Sequence, residues 1–103
     1  MNAYTFSFFS DAGCASRTFN AGGLAEGAPL QLPSDPLKRC YSVETCPASG
    51  GARGQMLFCA DPHCSRDCHL LAFDNFGCVP TSALPRSIVP KGVSSFSVDC
   101  TVE

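Results

Sequence analysis

The sequence predicts a small all-β domain: a Greek-key-like β-sandwich built from two related units, with at most one short helix and four disulfides. Three observations carry this prediction. Eight cysteines occupy 103 residues, the two terminal segments alternate apolar with polar side chains, and prolines and glycines interrupt every candidate for a long helix.

The cysteines are Cys14, Cys40, Cys46, Cys59, Cys64, Cys68, Cys78 and Cys100. An even number at this density marks a disulfide scaffold. Disulfides persist in oxidising compartments, so a secreted protein is expected, its leader removed ahead of Met1-Asn2. A chain of this length is a single domain over 1–103 with a marginal core, for which crosslinks compensate. Zinc is the competing reading, because Cys59, His63, Cys64, Cys68 and His69 lie within eleven residues. Their spacing is C-x4-C-x3-C and no C-x2-C knuckle occurs, so neither a metal nor any other cofactor is expected.

The elements follow in order. AYTFSFF (3–9) alternates, with Tyr4, Phe6 and Phe8 on one face, and reads as a half-buried strand. AGGLAEGAP (21–29) and PSDP (33–36) read as loops. RCYSVE (39–44) and QMLFCA (55–60) are short apolar strands joined by the turn PASGGARG (47–54). CHLLAF (68–73) is a further apolar segment, and CSRDCHLLAF (64–73) is the one place for a turn or two of helix. VPTSALP (79–85) and VPKG (89–92) form another loop region, and SSFSVDCTV (94–102) closes the chain as an alternating strand.

FFSDAGCASR (8–17) aligns without gaps on FCADPHCSRD (58–67), sharing a phenylalanine, an aspartate and a cysteine at Phe8, Asp11, Cys14 and Phe58, Asp61, Cys64. Each copy reads as a strand entering a turn that an Asp side chain fixes through backbone amides. Calcium at the two aspartates is the weaker reading, because such sites need several clustered oxygens. The repeat divides the chain into pseudo-repeats of about 3–45 and 52–103 that pack face to face.

With these copies, and a final SSFSVDC strand, the chain resembles small secreted cysteine-rich fungal proteins. That layout is in turn similar to a degenerate βγ-crystallin unit, with Cys14 and Cys64 where the crystallin motif has an aromatic. Ser16 and Arg66 replace its glycine, and its paired acidic calcium signature is missing. The resemblance implies a β-sandwich and an extracellular fungal origin; it implies no active site.

The repeat predicts homologous bridges Cys14–Cys40 and Cys64–Cys78. Cys46, Cys59, Cys68 and Cys100 then join the two units, in any of three pairings, with Cys46 or Cys68 the partner for Cys100.

Composition narrows the function. The chain is 45% hydrophobic and only 16% charged, with net charge −2 and mean hydropathy +0.08, so it is not disordered. Its seven basic residues are scattered, which disfavours nucleic acid and cationic membrane insertion. No motif demands catalysis. His63, Glu44 and Arg53 can be drawn as a nuclease site, but no spacing requires it. The expected function is therefore non-enzymatic binding of a protein or glycan receptor by a monomer, in the manner of an effector, a defence protein or a receptor ligand. The rigid loops Gly22–Pro36, Pro47–Gly54 and Val79–Gly92 would carry it, with Lys38, Arg39, Arg53, Arg86 and Lys91 as candidate contacts. A taste-active protein belongs to the same class, although sweet-tasting proteins tend to be basic. A protease inhibitor would present an extended loop around Leu84-Pro85-Arg86, and a toxin would need more positive charge.

Overall fold

The computed structural model describes residues 2–48 and 51–102. Eight strands are present: β1 (Asn2–Phe9), β2 (Arg17–Ala25), β3 (Leu30–Gln31), β4 (Cys40–Thr45), β5 (Gly54–Cys59), β6 (His69–Phe73), β7 (Val79–Pro80) and β8 (Ser95–Val102). They form two four-stranded antiparallel sheets, ordered β2-β1-β8-β7 and β3-β4-β5-β6. No helix occurs among the described residues. At 64–73, Asp61 organises a turn and β6 then pairs with β5, so hydrogen bonding to a neighbouring strand displaces the helical alternative.

The AGGLAEGAP segment is strand as far as Ala25, not loop. Tyr4 faces Leu24 and Phe6 faces Ala21, so Gly22 and Gly23 both lie opposite Thr5 in a bulge. Gly23 has φ 68, a conformation that costs glycine no steric clash. The 47–54 connector joins antiparallel neighbours β4 and β5 as expected, although its Ser49 and Gly50 lie outside the described residues.

One apolar core lies between the sheets. Phe6, Phe8 and Phe96 come from one sheet, and Tyr41, Phe58 and Phe73 from the other, all at most 1% exposed. Aromatic edges link the layers: Phe8 meets Tyr41 at 5.4 Å and Phe58 meets Phe96 at 5.0 Å between centroids. Each such pair adds roughly 0.5–1.5 kcal/mol beyond its buried area.

Gly54 faces Phe73 across the β5–β6 ladder, and a Cβ there would lie 2.4 Å from the ring. Gly54→Ala therefore overpacks a fully buried ring and should cost about 1–3 kcal/mol. A urea titration should show the midpoint fall, while an unchanged midpoint would contradict the close packing.

The eight cysteines form four bridges: Cys14–Cys78, Cys40–Cys64, Cys46–Cys100 and Cys59–Cys68. The predicted Cys14–Cys40 and Cys64–Cys78 are thus corrected. The same four cysteines pair, with partners exchanged. The cause is topological. Neither sheet coincides with one half of the chain: β8 lies beside β1, and β4 lies beside β5. The strand nearest each Asp turn therefore comes from the other half. Cys46–Cys100 spans the two sheets, as a joining bridge should, but Cys59–Cys68 is local to the β5–β6 connection.

The registers also explain why Cys14 takes Cys78. Phe58 pairs with Tyr41 and Cys59 with Cys40; correspondingly, Phe8 pairs with Phe96 and Phe9 with Ser95. Ser95 thus stands where Cys40 stands in the other sheet, and its Oγ lies 3.2 Å from the Cys14 sulfur. Combining Cys78→Ser with Ser95→Cys should move the Cys14 bridge to the introduced thiol and leave a folded protein. Peptide mapping under non-reducing conditions checks this; a free Cys14 thiol in the folded variant would contradict the register.

Candidate binding surface

The long connectors 32–39 and 81–94 lead into the central strands β4 and β8 and meet at one end of the sandwich. Both are held from beneath. Leu32 of the first connector, and Leu84 and Ile88 of the second, drop into the core at 6%, 8% and 1% exposure. The hydroxyl of Tyr41 donates to the Ile88 carbonyl at 3.4 Å. Burial raises the Tyr41 pKa, so this hydroxyl keeps its proton.

Arg39 ties the connectors together. Its guanidinium pairs with Asp35 through Nε at 3.1 Å and also donates to the carbonyls of Ser87 and Val89. Both partners are buried. Burial pushes the Asp35 carboxyl up, but the Arg39 guanidinium and the amides of Leu37 and Arg39 outweigh it and hold the group below the ordinary carboxylate range. Arg39 is therefore a structural tie, not the exposed contact expected from sequence.

Between the connectors lies a depression of about 680 Å³, walled by Leu37, Leu84, Val89, Pro90 and Val93 together with the polar Arg39, Thr81, Ser82 and Ser87, and with Arg86 and Lys91 on its margin. A smaller hollow of about 180 Å³ shares Pro90, Lys91 and Val93 and reaches Phe8 and Phe19. Leu37 is 61% exposed, one of three large apolar side chains so exposed among the described residues, with Leu70 and Phe76.

Charge is segregated in the same direction. Residues 32–39 and 81–94 carry Lys38, Arg39, Arg86 and Lys91 against a single carboxylate, Asp35, a local charge of +3. The rest of the chain holds three cations and eight acids, a charge of −5, of which Asp11, Asp61 and Asp67, with Arg17 and Arg66, stand in the turns after β1 and β5 at this same end.

Of the basic residues expected at a binding loop, Lys38, Arg86 and Lys91 are exposed on this end. Arg53 is elsewhere. It precedes β5, at the end of the sheet where Thr45 faces Gln55, whereas 32–39 adjoin the end where Cys40 faces Cys59. There it pairs with Asp74 at 3.2 Å, both side chains largely exposed. Of the apolar walls, Val89 falls within the expected loop Val79–Gly92, whereas Leu37 and Val93 lie just outside the expected segments, because single hydrophobics in proline-rich loops follow no period.

The residues drawn as a nuclease site are not brought together. Arg53 precedes β5 and His63 follows it, so a six-residue strand, about 20 Å long at roughly 3.3 Å per residue, separates them. Glu44 accepts from the Ser42 hydroxyl at 2.8 Å. The stretch 81–92 is not extended, as an inhibitor loop would be. It turns repeatedly, with the Leu84 amide donating to Thr81 and the Ile88 amide to Pro85.

Sγ of Cys59, Sγ of Cys68 and a carboxylate oxygen of Asp61 lie within 4.8 Å of one another, but both sulfurs are spent in a disulfide. The two aspartate turns are alike. Asp11 accepts the amides of Gly13, Ala15 and Ser16; Asp61 accepts those of His63, Ser65 and Arg66, and the Ser65 hydroxyl. Cys14 and Cys64 adopt positive φ, 58° and 54°.

The Ser16 amide leads in lowering the Asp11 pKa, and the Arg66 amide leads for Asp61; each outweighs the effect of burial. A depressed carboxylate stabilises the fold above its unfolded pKa, and that contribution is lost as pH falls through the lower, folded value. Stability should therefore decline below about pH 4. Asp11→Asn/Asp61→Asn should flatten that decline in urea titrations at pH 7, 4 and 2; an equally steep decline in the variant would assign it to other groups.

Fold and surface together define a small disulfide-stapled β-sandwich with two basic connectors at one end, on a chain of net charge −2. No family model, curated protein or solved structure matches the chain.

Proposed function

We propose that this chain is a secreted, non-enzymatic binding protein that engages a receptor through the end formed by residues 32–39 and 81–94. The observation that carries this reading is the partly apolar depression with cations on its margin that enter no ion pair among the described residues, set in loops that buried anchors hold in place. A pre-ordered loop loses little conformational freedom on binding, so a small scaffold reaches useful affinity with modest area. Four disulfides fit an extracellular setting, and among the described residues no helix is long and apolar enough to cross a membrane.

The test is a screen of arrayed extracellular receptor domains and glycans. Binding that Arg86→Glu abolishes and Arg17→Glu spares would support the loop end as the contact. Binding that survives every loop-end substitution would overturn it. So would hydrolysis of RNA by the pure protein that disappears in His63→Ala.

One observation favours the taste-active reading within this class. Sweet-tasting proteins tend to be basic and this chain is acidic overall, yet its loop end alone carries +3. Activation of cells bearing a sweet-taste receptor, lost in Arg86→Glu/Lys91→Glu, would support that role; no activation by the native protein would exclude it.

A further inference from the structure

Resting on the binding role proposed above, we infer that the loop end takes an acidic polypeptide surface, which seats one apolar side chain in the depression and sets carboxylates against Arg86 and Lys91.

The charge argument comes first. The single carboxylate of these two loops, Asp35, is buried and held by Arg39. What faces outward is therefore uniformly positive: Lys38, Arg86 and Lys91, all exposed and none in an ion pair among the described residues. Outside these loops the turns at 10–17 and 60–67, which leave β1 and β5 at the same end, hold Asp11, Asp61 and Asp67 with Arg17 and Arg66, so it is at Lys38, Arg86 and Lys91 themselves that an acidic partner is drawn.

The walls decide the rest. Leu37, Val89 and Val93 offer an apolar seat, the form of a pocket that receives an anchoring side chain at the centre of an interface. No aromatic side chain lines it. A nucleic acid would want clustered phosphate contacts and stacking platforms, and three spread cations supply neither. A neutral sugar finds hydroxyl partners in Thr81, Ser82 and Ser87 of the lining but offers no counter-charge to Arg86 and Lys91. Carboxylates flanking an apolar residue on a polypeptide satisfy both the walls and the margin.

The test uses the native, disulfide-bonded protein, isotope-labelled for amide NMR. The probe is the blocked pentapeptide acetyl-Glu-Glu-Phe-Glu-Glu-amide at up to millimolar concentration. The controls are the same peptide with Lys for Glu, the same with Gly for Phe, and a neutral oligosaccharide. Saturable shifts confined to residues 37–39 and 82–93 are expected, with both control peptides about tenfold weaker or worse and with binding weakened by salt. Arg86→Glu/Lys91→Glu should lose the response while its strand amides stay unshifted, since both side chains are exposed. Equal binding of the lysine peptide, shifts elsewhere, or no shift at millimolar peptide would overturn the inference. Shifts at the same loops with the oligosaccharide alone would also overturn it, yet leave the loop end standing as the binding face.

Discussion

Full reduction is expected to unfold this protein at room temperature. The core is small, and the four bridges each contribute roughly 2–4 kcal/mol by restricting the unfolded chain. Their sum is comparable to the whole net stability of a domain, about 5–15 kcal/mol. The chain has no tryptophan, but Tyr4 and Tyr41 are both buried, so loss of near-ultraviolet circular dichroism on adding a reductant reports the event. The bridges should differ in weight. Cys46–Cys100 closes 54 residues and ties the sheets, while Cys59–Cys68 closes nine. Loop closure then makes Cys46→Ala/Cys100→Ala costlier than Cys59→Ala/Cys68→Ala by roughly 1.5 kcal/mol. A reduced protein that keeps its tyrosine signal would show the core sufficient alone.

The second large effect is expected at Arg39. Arg39→Ala leaves the Asp35 carboxylate buried without its counter-charge and removes the donor from the carbonyls of Ser87 and Val89. Breaking a buried pair on one side costs about 3–5 kcal/mol. Arg39→Lys should recover only part of this, because an ammonium cannot span a carboxylate and two carbonyls as the planar guanidinium does. Replacing both partners, Asp35→Leu with Arg39→Met, should recover much of the stability, since it leaves no orphaned charge. Chemical denaturation ranks the variants. Amide hydrogen exchange should rise at 84–89 in Arg39→Ala, because these residues lose their tie to the other connector. The sign with pH follows from the depressed Asp35 carboxyl: the pair contributes fully at neutral pH and fails as acid protonates the carboxylate.

The strands with a clear period were legible. Tyr4, Phe6 and Phe8, and Phe96 with Val98, declare their buried faces by alternation, and all five are core residues. β2 was not legible, because Gly22 and Gly23 read as loop residues until a bulge opposite Thr5 gives them a place in a ladder. β3 and β7, two residues each, are too short to show a period. At the proposed binding surface the cations were visible as residues, but their exposure was not. Arg39 is adjacent to Lys38 in sequence and opposite to it in role, since only the position of Asp35 and the Ser87 and Val89 carbonyls turns it inward.

By itself the sequence determined an all-β, four-disulfide protein, because cysteine number, alternation and turn residues are local properties. It also determined that each aspartate would cap its own turn, a contact made within five residues. Only the tertiary structure decided which cysteines join. Pairing depends on which strands lie side by side, and β1 beside β8, with β5 beside β4, sends each turn cysteine to the other half of the chain. The depression proposed as the binding face was decided at the same level: it exists where two distant loops meet, and no window of sequence contains both.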